Sequence, residues 1–359
     1  MPETAGSEGY RAATERVAFF ADLRRAVVGL SGAGALRVVN GLVSNDVADV
    51  PGGRGVYTFL LNRRGRIVAD LRVLPSPGFE GEEGKAGDET LWLDTPNEAL
   101  PSLTKHLRQY VPPLLAKHRV TGVEVYTLIG PLALEALTRW GADAGAVFRR
   151  DPVQLTPLET TTVRRGNLTA LAVRREEIEG AGYDLYVDRV GEARDGERCS
   201  CELEDAVTGV GGVRGVRADW EILRVEHGLP VFGAELSPER LAQEAGQDDR
   251  AISFTKGCYT GQEVVARIRY RGHVNRHLRG LRWVPHASVR TADMAGASLR
   301  VPEGTDGSRP VGAITSAVHS PRFGPVGLGY VRREIVPGTV LGAMDDPDRM
   351  LRVTELPFT

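Results

Sequence analysis

Residues 256–263 read K-G-C-Y-T-G-Q-E and gather within eight positions the side chains of this chain best suited to chemistry. Cys258 is one of only three cysteines in 359 residues, the others being Cys199 and Cys201. A thiolate is both a nucleophile and a soft metal ligand, so anything that stabilises negative charge on sulfur raises its reactivity. Lys256, two positions earlier, could bring an ammonium close to it. Thr260 and Glu263 form the T-x-x-E pattern of a capping box just before the apolar Val264, Val265 and Ile268. A helix starting there would set Cys258 ahead of its positive end. Gly257 and Gly261 leave room for a flat ligand against the backbone, and Gln262 offers an amide that donates and accepts. Free cysteines are mostly buried and inert; the lysine and glycines favour a working thiol here. The spacing alone names no ligand.

The next stretch carries Arg267, Arg269, Arg271, His273, Arg276, His277 and Arg279. Read as a helix, it sets Glu263 and Arg267 four apart, where they can pair. Read as a strand, it sets Arg267, Arg269 and Arg271 on one side. Either way the surface is locally cationic, an anion site for polyglutamate, phosphate or RNA rather than a merely solvated face.

Composition bounds the rest. A hydrophobic content of 42% over 359 residues can bury a real core and predicts two or three domains. A net charge of −2 lacks the global basic character of nucleic-acid binders, so any RNA contact must be local, and no DNA partner is expected. An odd, low cysteine count argues against a disulfide framework and for a reducing compartment. Residues 1–15 are polar and acidic, without the apolar core of a signal peptide. No run approaches the ~18 apolar residues of a membrane span. The expectation is a soluble, cytoplasmic protein with no membrane partner.

Positioning elements follow from periodicity. Residues 1–14 read as a flexible lead, 15–28 as partly helical, and Ser31 as the cap of a helix through Leu42. Apolar runs at 57–61 and 67–74, joined by Asn62-Arg63-Arg64-Gly65, signal a hairpin. A Gly- and Glu-rich loop at 75–89 precedes a strand at 91–93. Helices are expected at 97–110, 132–140 and 220–226, and strands at 123–128, 153–155, 169–173 and 183–187. After Arg276, short strands at 278–284, 298–301, 311–316, 327–331 and 352–356 predict a small all-β unit. Cys199 and Cys201 form a C-x-C in a charged loop without a second ligand pair, so a metal site is not expected. Gly32-x-Gly34 lacks a dinucleotide fingerprint and the 209–215 glycines lack a phosphate-loop Lys-Ser/Thr. His227 and His319 read as structural or surface residues, and Asp70, on the second hairpin strand, as a carboxylate that could be buried but is expected to be solvated or paired.

The K-G-C-Y-T-G-Q-E string resembles the folate-binding YgfZ family, a branch related to the T-protein (aminomethyltransferase) of the glycine cleavage system. Gly41-Leu42-Val43-Ser44-Asn45-Asp46-Val47 resembles that family's G-L-x-[ST]-N-D-V segment. Tyr57-Thr58-Phe59-Leu60-Leu61-Asn62 with Gly65-Arg66-Ile67 resembles its hairpin, and Leu223-Arg224-Val225-Glu226 with Gly228-Leu229-Pro230 its L-R-x-E-x-G-[LI]-P. Gly327-Leu328-Gly329-Tyr330-Val331-Arg332 resembles the end of its C-terminal barrel.

The resemblance implies an α+β fold: a three-subdomain cloverleaf of the T-protein type around a central folate cavity, with a C-terminal β-barrel. It divides the chain into a lead at 1–14, a folate-binding region of two interleaved subdomains at 15–255, a motif segment at 256–275 and a barrel at 276–359. It implies a folate-binding accessory protein for iron–sulfur enzymes, tRNA-modifying ones included, with Cys258 and Lys256 as working residues. The cofactor would be tetrahydrofolate or a one-carbon derivative. Pocket candidates are Tyr57, Asn62, Asp70, Asn97, Tyr183, Glu226 and Tyr259, with Gly261, Gln262, Glu263 and Arg267 from the motif. The alternative is a tetrahydrofolate-dependent aminomethyltransferase or demethylase. Against it, the T-protein's paired aspartates fall on Ala69 and Asp70, and its A-R-D on Asp219, Trp220 and Glu221, with Arg217 nearby. Its T-G-E-D element falls on residues 178–181, leaving Glu179 out of step, and Cys258 stands where it tends to carry an aspartate. Losing a positioned catalytic group costs orders of magnitude in rate.

Overall fold

The computed structural model describes residues 7–77, 90–143, 145–165, 168–175, 178, 182–188, 194–284, 294–302, 309–346 and 349–359. The described residues build two open sheets and one closed barrel. The five-stranded sheet runs in the order Val56–Leu61, Ile67–Pro75, Thr90–Pro96, Arg25–Ser31, Lys117–Val120. The seven-stranded sheet runs Val213–Arg214, Ala18–Phe20, Glu124–Ile129, Gly182–Val187, Leu168–Arg174, Thr160–Arg165, Val147–Phe148. Ala18–Phe20 and Arg25–Ser31 are sequence neighbours in different sheets, so the chain crosses from one sheet to the other between them.

Strand Ile67–Pro75 shows how sequence alternation positions the site. Ala69, Leu71 and Val73 face one apolar core with Val39 and Leu42 from helix Ala35–Leu42 and with Leu103 and Leu107 from helix Leu100–Tyr110. The period of two turns Asp70, Arg72 and Leu74 the other way. Leu74 there meets Val27, Trp92, Leu171, Val173 and Tyr186, a cluster drawn from both sheets. The two sheets thus pack through this face, and two charged residues of the same face are buried with it.

The all-β unit is a closed barrel of Arg276–Trp283, Gly324–Arg332, Gly312–Ser320, Ser298–Arg300, Val340–Ala343 and Met350–Thr354. Its last strand pairs with its first, Leu281 opposite Val353, which removes the exposed edges of an open sheet. Helix Arg217–Glu226 ties the barrel to the rest. Arg224 reaches Glu235 at 3.3 Å and donates to Ser316 Oγ at 2.8 Å, while Glu226 accepts from Tyr10 at 3.0 Å and from Ser320.

Several local expectations are corrected. Residues 7–14 do not belong to a flexible lead: Ser7 caps the helix Glu8–Glu15, whose Tyr10 and Ala12 are buried. Residues 15–28, expected as partly helical, hold the two strands just named. Ser31 ends a strand, and the helix starts at Ala35 behind Gly34. The strand expected at 153–155 is replaced by the 3-10 turn Pro152–Gln154, with Leu155 as its extended cap and Pro152 supplying its fixed φ. Cys199 and Cys201 lie on helix Arg194–Gly209, not in a loop; Cys199 is buried in the core and Cys201 is exposed. The arginine segment is split: Arg267, Arg269 and Arg271 lie on the helix Gln262–Arg271, whose cap is not Thr260 but Gly261 at φ +88°, and Arg276, His277 and Arg279 lie on the barrel strand Arg276–Trp283. Glu179 and most of the 75–89 loop lie outside the described residues.

Candidate functional site

Three sequence motifs far apart in the chain meet in one place. Lys256 is buried, and its ammonium donates to the carbonyl oxygens of Asn40 (2.7 Å), Val43 (3.1 Å) and Asn45 (2.6 Å) and to Asn40 Oδ1 (2.8 Å). The Thr260 amide donates to Gly41 O at 3.2 Å, and Asn45 Nδ2 to Tyr57 O and Arg250 O at 3.0 and 2.8 Å. On the other flank a Cβ at Gly261 would lie 2.7 Å from Asn62 O, and one at Gly65 3.0 Å from Val264. The 41–47 segment, the 57–65 hairpin and the 256–263 motif are therefore one packed unit. Tyr259 sits in its apolar centre with Tyr57, Phe59, Leu61 and Ile67, and burial pushes its hydroxyl up to about 12.

Cys258 is exposed on the loop between Lys256 and the helix. Lys256 anchors that loop: four oxygen acceptors surround an ammonium with three protons. Glu263 and Arg267 pair at 2.9 Å on the exposed helix face, and Gln262 opens the helix.

A separate cavity of about 90 Å³ opens between the sheets, lined by Tyr57, Asp70, Arg72, Arg175, Trp220 and Arg250, with Arg25, Glu98, Arg217 and Phe232 also on its walls. Asp70 is buried and its Oδ1 meets no hydrogen-bond donor, while its backbone carbonyl accepts from Thr95 Oγ1 at 2.9 Å. Burial pushes its carboxyl up to about 6 against the pull of Arg25, with Asp94 adding to the rise. The expectation of a solvated or paired carboxylate is corrected accordingly.

Behind Asp70 runs a buried ion network. Asp94 accepts from Arg25 Nε and Arg72 Nε, each at 2.7 Å, and from the Tyr186 hydroxyl at 2.7 Å. Arg72 also reaches Asp184 in the other sheet, which accepts from Arg175 at 2.8 Å and Thr127 at 2.6 Å. Burial alone would raise Asp184, but Arg175 and Arg72 hold it far below the usual carboxylate range. Arg175 lies 5.0 Å over the Trp220 ring. None of Arg25, Arg72, Asp94, Arg175 or Asp184 was singled out by motif. Period-two alternation from Asp70 was the available signal for Arg72; the rest required the sheets to meet.

The remaining candidates scatter. Asn62 turns the hairpin, its Oδ1 accepting from the amides of Arg64 and Arg66. Asn97 is exposed at the start of a 3-10 turn, next to the cavity-lining Glu98. Tyr183 is in the core of the seven-stranded sheet and donates to Pro152 O. Glu226 sits between the N-terminal helix and the barrel. Trp220 and Arg217 line the cavity, whereas Asp219 caps its own helix through the Val216 amide at 2.9 Å. Among the described residues, no group of three His, Cys, Asp or Glu could hold a metal ion, and no helix is long and apolar enough to cross a membrane.

Comparison with known proteins accords with this architecture. The family model described as GCVT N-terminal domain matches residues 5–256. The chain is 24% identical over 335 residues to the tRNA-modifying protein YgfZ of Escherichia coli O127:H6, covering 93% of this chain and 91% of that protein. It is 24% identical over 329 residues to the mitochondrial iron-sulfur cluster assembly factor IBA57 homolog of Neosartorya fischeri, covering 88% and 69%. The crystal structure of glycine cleavage system aminomethyltransferase T from Bartonella henselae superposes with a TM-score of 0.78 at 20% identity, covering 98% of this chain and 88% of that one. The expected T-protein-type fold with its closed C-terminal barrel is present, and the chain belongs to the GCVT-domain family, with YgfZ tRNA-modifying proteins among its homologues.

Proposed function

We propose that this chain is a folate-binding accessory protein that supports assembly or repair of iron–sulfur enzymes, tRNA-modifying ones included, with Cys258 as its working residue. The observation that carries the reading is the exposed thiol on a pedestal: Cys258 faces solvent two residues from a lysine anchored by four hydrogen bonds. An accessible thiol held on a fixed loop suits contact with a partner protein's cluster, where a small substrate would call for an enclosed nucleophile. The names of the YgfZ and IBA57 relatives speak for the same systems.

The cavity fits the ring end of a reduced folate. Asp70 offers an unpaired buried oxygen to a ring N–H, the rings of Tyr57 and Trp220 line the walls beneath the guanidinium groups of Arg250 and Arg175, and Arg217 would meet a carboxylate tail. At about 90 Å³ it is well below the roughly 300–1,000 Å³ of ordinary ligand pockets, so the tail would lie outside. Bound, the folate would supply a one-carbon carrier.

A second reading, tetrahydrofolate-dependent aminomethyl transfer or demethylation, is favoured by Asp70 alone, a carboxyl poised to hold or release a proton near pH 6. One experiment separates the two. Activity of a [4Fe–4S] tRNA-thiolating enzyme would be measured in cells lacking this gene and rescued with wild type, Cys258→Ala or Asp70→Ala. Rescue by wild type and Asp70→Ala but not Cys258→Ala supports the thiol-centred role. Rescue by Cys258→Ala with failure of Asp70→Ala returns the protein to transfer chemistry. Calorimetry with reduced folates tests the cavity, and an absence of heat at millimolar ligand would remove folate from the proposal.

A further inference from the structure

The surface beside Cys258 is built from two segments nearly 200 residues apart, and what it offers is independent of the folate reading. Helix Gln262–Arg271 turns Glu263, Arg267, Tyr270 and Arg271 outward, spaced i, i+4, i+7 and i+8 along one stripe. Tyr270 is 69% exposed. Arg267 is tied to Glu263 at 2.9 Å, but Arg271 has no carboxylate partner among the described residues. The hairpin turn abuts the start of the same helix through Gly65 on Val264 and Gly261 on Asn62. Its tip presents Arg63 and Arg64, both exposed and both without a carboxylate partner among the described residues. The result is a cationic strip with a solvated aromatic ring, on a chain whose net charge is −2.

Guanidinium groups match phosphate oxygens in a bidentate fork, and exposed aromatic rings between them stack unpaired bases. An acidic protein would use the arginines and leave the ring idle, so the ring favours nucleic acid. We propose that this strip binds RNA, with phosphates on Arg63, Arg64 and Arg271 and an unpaired base stacked on Tyr270, bringing the RNA alongside Cys258.

The test is fluorescence anisotropy of an end-labelled, unmodified tRNA transcript with the full chain at 50 and 200 mM KCl, the range over which phosphate contacts weaken steeply. The R63E/R64E variant is expected to bind at least roughly tenfold more weakly and with a shallower salt slope, because each lost phosphate contact removes about one unit of slope. Tyr270→Ala is expected to lose roughly fivefold or more on a labelled stem–loop while leaving a duplex of equal length unchanged. Thermal melts and reduced-folate calorimetry on the same variants separate misfolding, or loss of the cavity, from loss of the strip. Wild-type affinity in R63E/R64E, absence of tRNA binding at 50 mM KCl, or equal loss on stem–loop and duplex in Tyr270→Ala would each overturn the proposal. So would binding of polyglutamate without tRNA, which would assign the strip to an acidic protein.

Discussion

The Lys256 ammonium lies 2.6 Å from the carbonyl oxygen of Asn45, 211 positions earlier in the chain, and 5.4 Å over the Tyr259 ring. That contact makes Lys256, two positions before Cys258, a fastener between two motifs. Lys256→Met keeps the stem and removes the cation, leaving the buried carbonyl of Val43 and the half-buried ones of Asn40 and Asn45 without this donor. Each such orphan costs about 1–3 kcal/mol, part of which water recovers at this margin. The expected loss is about 2–4 kcal/mol in urea unfolding. Iodoacetamide alkylation of Cys258 in the still-folded variant should change by less than about threefold; a tenfold slowing would restore Lys256 as an activator of the thiol.

Asp70 links stability to pH. Its folded carboxyl keeps a proton up to about pH 6, whereas the same group ionises near 3.8 when unperturbed. Between those values the native state binds more protons than the unfolded chain, so its contribution to stability falls as pH rises from about 4 to about 6. The total is roughly 3 kcal/mol at about 1.4 kcal/mol per pH unit. Asp70→Asn should therefore be more stable than wild type at pH 7 and lose that advantage below pH 4. Denaturation midpoints across pH 3.5–7.5 would show it, and parallel curves for the two proteins would refute the burial of an unpaired charge.

Arg72 joins the two sheets by reaching Asp94 in one and Asp184 in the other. Removing one member of a buried charge network leaves the others uncompensated, at about 3–5 kcal/mol. Arg72→Met should cost that much in equilibrium unfolding, while Arg267→Ala, on an exposed pair, should cost less than about 1 kcal/mol. Similar losses for the two would mean that the inter-sheet network contributes little.

Gly261 caps the motif helix at φ +88° with the hairpin carbonyl of Asn62 against it. Gly261→Ala adds both left-handed strain and a 2.7 Å clash with backbone, a combination of roughly 2–4 kcal/mol. Gly257→Ala, whose Cβ would meet nothing within 4 Å, serves as the control and should melt within about 2 °C of wild type. A thermal scan of the pair tests whether the two motif glycines differ as their surroundings require.

The sequence by itself determined the elements with strong periodicity and the motifs with rigid local chemistry. The hairpin at 57–74, the helix ending at Tyr110 and the short barrel strands other than Val340–Ala343 were legible because apolar alternation and turn residues act over a few positions. The motif at 256–263 was legible as a unit, but not what its lysine does, because the Lys256 acceptors lie more than 200 residues away. The cap was misjudged for a related reason: Thr260 has the right local pattern, yet close packing against Asn62 and Gly65 selects a left-handed glycine at 261. Only the tertiary structure decided the cavity. Asp70 became a buried carboxyl with its Oδ1 unpartnered among the described residues, and Arg25, Arg72 and Arg175 part of the charged wall, when the outward-facing half of strand Ile67–Pro75 met the second sheet. Burial of a charge is a property of both surfaces, and one strand's sequence specifies only one of them.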